Sequence, residues 1–238
     1  CHSKLIRSQN VLNFGYILYL KLKEKKYKPQ LIEHYVHRWI VLSILTGRYS
    51  GSPESRFDYD IKQIDARAFD EFLNDVETAQ LSDAFWNAEL IQRLNTSIAS
   101  SLLFNVFLAS QCFQNRKGFL STAITVKDMI EQKGDVHHIF PRMYLKDNGL
   151  PQSQTEIKIK IGKKSPKEYL GYVLNIQCNN GESKFGGICD LDTLEKNIVE
   201  DNCIPISVVN MDLADYQDFL AQRRELIAQR LKEYYFSL

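Results

Sequence analysis

Apolar residues recur at helical spacing through the N-terminal half of the chain. Val11, Phe14, Leu18 and Leu22 fall on one face and predict an amphipathic helix over 10–26. Pro29 then opens a second helix, with Ile32, Tyr35, Val36 and Trp39 inward and Gly47 as its stop. In "SGSPESRF", Ser52 suits an N-cap, Pro53 the first helical position, and Glu54 the positive helix end. A third helix is therefore expected from about residue 53, burying Phe57, Ile61 and Ile64. Phe69, Phe72, Leu73 and Val76 continue the pattern, and helix signals return at 82–95 and 98–113.

The pattern changes near 117. "RKGFLS" reads as a loop and "TVKDMIEQK" as a short helix closed by Gly134. "DVHHIFP" is short, rich in apolar residues and ended by Pro141, which suits a strand better than a helix interior. "EIKIKIG" at 156–162 alternates strictly and fits a half-exposed strand by period, or a helix start. Leu213, Tyr216, Leu220, Ile227, Leu231 and Tyr234 form a last stripe, predicting a terminal helix over 212–236. The expected organisation is a helical segment over 1–116 and a second domain over 117–238 that ends in this helix.

Composition narrows the function classes. The chain is 44% hydrophobic and 25% charged, ordinary for a globular protein able to bury its own core. A net charge of +1 gives no global field toward nucleic acid, so any such surface is a local patch. The five cysteines are scattered without a Cys-x-x-Cys pair, which argues against a zinc ribbon and fits reduced thiols in the cytoplasm. The longest apolar run, "WIVLSIL" at 39–45, is too short to span a bilayer, and no signal peptide is visible. The chain begins at Cys1 rather than Met, which predicts an upstream region.

The candidate chemistry centres on "GDVHHIFPR" at 134–142, where two of the chain's five histidines are adjacent. Neighbouring side chains on a strand point to opposite faces. His137 and His138 can therefore take separate jobs, one imidazole on a metal ion and the other beside a substrate. A metal that stabilises a leaving oxygen and a histidine that deprotonates water are the two parts of phosphodiester hydrolysis. Spacing alone favours one buried, hydrogen-bonded histidine and one solvated one.

"VHHIFPRMYL" resembles the first β-element of the HNH (ββα-metal, His-Me finger) nucleases. Together with "LTGRYSGSPESRFDYDIKQI", "QLSDAFW", "GDVHHIFPRMYLKDNGL" and "IKIGKKSPKEYL", it resembles the C-terminal region of GmrSD-type modification-dependent restriction endonucleases. The resemblance implies a mainly α fold with a small ββα-metal element near 134–165. It also implies an upstream NTP-hydrolysing domain and cleavage of modified double-stranded phage DNA, for example DNA carrying glucosylated hydroxymethylcytosine. By the resemblance His138 is the general base and His137 a ligand of a divalent cation, Mg²⁺ first, with Mn²⁺, Ni²⁺ or Zn²⁺ as alternatives. A homo-oligomer fits this reading, and a membrane partner does not.

The chain departs from the family pattern after Asn148. The Asn-bearing stretch that orients the base histidine is not seen, and the closing metal-ligand position falls on Lys158, whose ammonium has donors only. Lys158, Lys160, Lys163, Lys164 and Lys167 form a local positive run that, with Arg142, suits phosphate contact, as it equally suits a solvated face. Three further patterns are weaker. His34 and His37, one turn apart, lack a third ligand; Asp60-x-Lys62 copies the acid-x-Lys spacing of another nuclease class; and Arg48 and Arg56 flank a turn that favours a structural role, although both could face DNA or an upstream domain. Trp39, Trp86 and Phe104 are expected in the core.

Overall fold

The structure, a computed structural model, describes residues 8–95, 101–118, 124–131, 200–205, 207 and 214–238. Helices dominate these residues, as the periodicity predicts. No strand occurs among them; Lys117 and Thr125 make an isolated antiparallel bridge. The chain divides into two compact units. The first comprises Cys1–Arg93, Leu102–Val106 and Leu231–Leu238, the second Leu94–Ser101 and Phe107–Arg230.

In the first unit α1 (Gln9–Glu24) and α2 (Pro29–Thr46) form a hairpin. Val11, Phe14, Leu18 and Leu22 are all buried, on the face their spacing predicts. A Cβ built on Gly15 would lie 2.9 Å from Ile40 Cδ1, so glycine permits this close approach of the two helices. Both helices end in a left-handed residue closed by paired backbone bonds, the Schellman arrangement. In α2 that residue is Gly47 (φ 67°), with Gly47 N–H to Ile44 O at 3.3 Å and Arg48 N–H to Ser43 O at 3.0 Å. In α1 it is Lys26 (φ 61°), with Lys26 N–H to Lys23 O at 3.0 Å and Tyr27 N–H to Leu22 O at 3.1 Å.

Helix α3 (Pro53–Ala66) starts where the Ser-Pro signal predicts, although the Ser52 side chain makes no capping bond. Ile64 is buried, whereas Phe57 and Ile61 are half-buried. Phe69, Phe72, Leu73 and Val76 belong to a separate helix, α4 (Phe69–Gln80), because the chain turns extended at Arg67 and Ala68. A π-helical turn (Phe85–Glu89) leads into α5 (Leu90–Arg93). Aromatic rings tile the core at tilted and edge-to-face angles: Phe14 lies 4.8 Å from Tyr49, and Trp39 lies 5.5 Å from Phe69 and 5.3 Å from Phe72. Trp39 and Trp86 are core residues as expected, and Phe104 is half-buried.

Helices α6 (Leu102–Phe113), α7 (Val126–Glu131) and α8 (Tyr216–Ser237) complete the described elements. Tyr216, Leu220, Ile227, Leu231 and Tyr234 are buried along α8, as its stripe predicts. No described helix is long and apolar enough to cross a membrane.

Candidate functional site

The residues predicted to carry chemistry fall outside the described part of the chain. These are His137, His138, Arg142, Lys158, Lys160, Lys163, Lys164 and Lys167, together with the alternating stretch at 156–162. What the structure does give is the fate of the weaker candidates and the framework of the second unit.

Arg48 is not on the surface. Its side chain is 2% exposed and forms a fork on Asp60, whose side chain is fully buried. Arg48 Nε donates to Asp60 Oδ2 at 2.7 Å, and Nη2 donates to Oδ1. Tyr49 Oη donates to the same carboxylate at 2.8 Å and accepts from Trp39 Nε1 at 2.9 Å. The guanidinium also lies 4.9 Å from the Trp39 ring centroid. Burial, then the charge and hydrogen bond of Asp60, push the Tyr49 phenol far above its ordinary pKa, so it stays a donor. The fork is thus an internal brace between the end of α2 and α3, not a DNA or domain contact. Asp60 and Lys62 do not converge either, because Lys62 is exposed and pairs with Asp58 at 2.6 Å. Arg56 is exposed and lies 5.8 Å from the Tyr59 ring centroid.

A second brace joins Arg38, Glu77 and Tyr235. Arg38 Nε donates to Glu77 Oε1 at 2.6 Å, Tyr235 Oη donates to the same oxygen, and the guanidinium lies 4.9 Å from the Tyr235 ring centroid. His34 is half-buried beside Tyr35, with ring centroids 5.5 Å apart, and His37 is exposed. Among the described residues no group of three or more His, Cys, Asp or Glu side chains could hold a metal.

In the second unit, donors converge on one turn at 200–204. Cys203 adopts φ 51°, turning the chain out of the helical residues Glu200 and Asp201. The turn's carbonyls are then taken by long side chains: Gln111 Nε2 to Asp201 O at 3.0 Å, Arg223 Nη2 to Asn202 O at 2.8 Å, and Arg230 Nη2 to Glu200 O at 2.8 Å. Arg116 Nη1 adds an ion pair to Asp201 Oδ1 at 2.7 Å. These donors satisfy helix-end carbonyls that would otherwise be unpaired. Arg223 is 4% exposed, and its Nε and Nη1 have no hydrogen-bond partner. Burial pushes its pKa down, to about 9.

The approach to the histidine motif is ordered by local chemistry. Thr125 and Asp128 make a capping box at the start of α7: Asp128 N–H donates to Thr125 Oγ1 at 3.1 Å, and Thr125 N–H donates to Asp128 Oδ2 at 2.9 Å. Gly118 N–H to Ile124 O (2.9 Å) and Val126 N–H to Arg116 O (3.0 Å) tie the flanking residues together. The Thr-x-x-Asp pattern was there to be read before the helix. So were Arg223 and Arg230, which share the Tyr216–Leu220–Ile227–Tyr234 stripe and are buried with it.

The chain is 26% identical over 168 residues to an uncharacterized protein of Methanocaldococcus jannaschii. The match covers 63% of this chain and 27% of that protein, so the chain spans about a quarter of its relative's length. No family model matches the chain. No solved structure matches it either.

Proposed function

We propose that this chain is the helical segment and HNH nuclease part of a modification-dependent restriction endonuclease that hydrolyses phosphodiester bonds in modified phage DNA. The observation that carries this reading is "GDVHHIFPR", set among the other segments that resemble the same family in the same order. His138 is the base that takes a proton from the attacking water, and His137 is the residue that would hold the divalent cation. When bound, such a cation stabilises the charge that develops on the scissile phosphate and leaving oxygen. Arg142 and the lysines at 158, 160, 163, 164 and 167 position the phosphate backbone without reading bases. The ββα-metal element, an upstream NTP-hydrolysing domain, self-association and a cytoplasmic location belong to the same reading. The test is a His138→Ala variant of the full chain. It should lose divalent-cation-dependent cleavage while still binding duplex DNA, and full retention of cleavage would remove His138 from the reaction.

Lys158 favours a second reading. An ammonium at the closing position repels a cation and suits a phosphate, which fits a nuclease-derived module that binds DNA or self-associates without cutting it. Cleavage in Mg²⁺ separates the two: cutting that is lost in His138→Ala supports the nuclease, and duplex binding without any cutting supports the non-cutting module.

A further inference from the structure

Helix α1 presents an outward face that no described helix covers. Tyr16, Tyr19, Leu20 and Lys23 stand at i, i+3, i+4 and i+7 and so form one stripe. Tyr16 is 65% exposed, Tyr19 41% and Leu20 45%. Lys23 Nζ lies 5.9 Å from the Tyr19 ring centroid. The stripe runs into the turn after α1, where Lys26 and Lys28 are also exposed.

The lysines of "KLKEKKYK" divide into two sets. Lys21 pairs with Asp65 at 2.9 Å, and Lys25 Nζ donates to the backbone oxygens of Arg67 (2.8 Å) and Asp65 (3.3 Å), so these two fasten α1 to the end of α3. Lys23, Lys26 and Lys28 have no carboxylate within ion-pair distance among the described residues. Glu24 is the one acid in 21–28 against five lysines. The platform beneath them is fixed, because Tyr27 Oη accepts the Phe69 N–H at 3.1 Å. Lys26 also occupies a left-handed position that favours glycine, as Gly47 does at the end of α2. A charge is therefore held out from the turn at a site where backbone energetics alone would select glycine.

We infer that this face of α1, with Lys23, Lys26 and Lys28, is a nucleic-acid contact that binds the phosphate backbone of duplex DNA. Ammonium groups meet phosphate oxygens, and the Tyr16 and Tyr19 hydroxyls are donors to the same backbone. The stripe from Tyr16 to Lys23 spans about 10 Å at the helical rise of 1.5 Å per residue, and a strand offers a phosphate every 3.4 Å of duplex axis. The charge balance disfavours a basic partner face and fits a polyanion. This inference deepens the reading of the chain as a DNA-acting protein.

The experiment is fluorescence anisotropy of a labelled duplex with the full chain in EDTA, titrated over salt concentration. It compares wild type, the triple variant Lys23→Ser/Lys26→Gly/Lys28→Ser, and His138→Ala. Each lost phosphate contact reduces the slope of log K against log salt by about 0.9. The triple variant should therefore lose about two to three units of slope and bind more than tenfold more weakly at low salt. Circular dichroism should show it folded, since Lys26→Gly removes a left-handed lysine. Unchanged slope and affinity in the folded triple variant overturn the inference. So does a change in sedimentation with DNA binding intact, which would make the face a protein contact. The nuclease reading fails separately: wild type that binds through this face yet never cuts leaves the surface standing, while cutting unaffected by the triple variant leaves only the nuclease standing.

Discussion

The Arg48–Asp60 fork makes a strong demand on stability. In Asp60→Asn the side-chain volume is almost unchanged, so no cavity forms and the effect is electrostatic. Asp60 receives two bonds from Arg48 and one from Tyr49, at a site where neither side chain of the ion pair is more than 2% exposed. Removing its charge leaves a buried guanidinium without a counter-ion, at a cost of about 3–5 kcal/mol. The Trp39 ring at 4.9 Å retains part of the cation's stabilisation, on the order of 1 kcal/mol, which places the expectation toward the lower end. Both tryptophans, Trp39 and Trp86, lie in the first unit, so fluorescence during urea unfolding reports on that unit. The midpoint should fall with the m-value unchanged. Arg48→Met combined with Asp60→Asn should recover part of the loss, because it removes the stranded charge. A single-variant loss below about 1 kcal/mol, the size of an exposed pair, would refute the brace.

Three further outcomes follow from the same geometry. Lys26→Gly should stabilise the first unit by roughly 1 kcal/mol, read from the same urea midpoint, because it relieves a left-handed lysine; a lower midpoint would contradict that account of the α1 end. Asp128 is held below its ordinary pKa by its hydrogen bonds with Thr125, first the side chain and then the backbone. Its contribution is therefore present above the unfolded carboxylate value and lost as pH falls through the lower folded value. Hydrogen-exchange protection of α7 should drop over that window in wild type and show no such step in Asp128→Asn. Arg223→Met should leave the exchange protection of α8 residues 216–230 unchanged or raised, since it gives up one hydrogen bond and removes a buried charge with two unfilled donors. A large loss of protection at neutral pH would show that Arg223 is a net stabiliser.

Helices with a clear apolar stripe were legible in the sequence. The faces of α1 and α8 follow from spacing alone, and Gly47 and Pro29 mark ends because their backbone limits act locally. In α2 the expected face holds only in part: Ile32 and Trp39 are buried, Tyr35 and Val36 are half-buried, and residues 41–45 are buried all round. What spacing misses is pairing between distant residues. Arg48 and Asp60 look like surface groups until each is seen to bury the other, and nothing in "GRYSG" or "FDYDIK" states that partnership. The break between α3 and α4 was missed because Phe69 continues the apolar rhythm across an extended Arg67 and Ala68. Lys26 carried no signal because lysine is rarely chosen for a left-handed turn. The proposed nuclease centre rests on the motif at 134–142, and its residues lie outside the described part of the fold.

The central claim is tested most directly by incubating the full chain with duplex DNA bearing glucosylated hydroxymethylcytosine, alongside unmodified DNA, with Mg²⁺ and with EDTA. The account predicts cleavage of the modified duplex in Mg²⁺, none in EDTA, and none by His138→Ala in either. Absence of cleavage by the wild-type chain under every condition, or cleavage that survives both EDTA and His138→Ala, would contradict it.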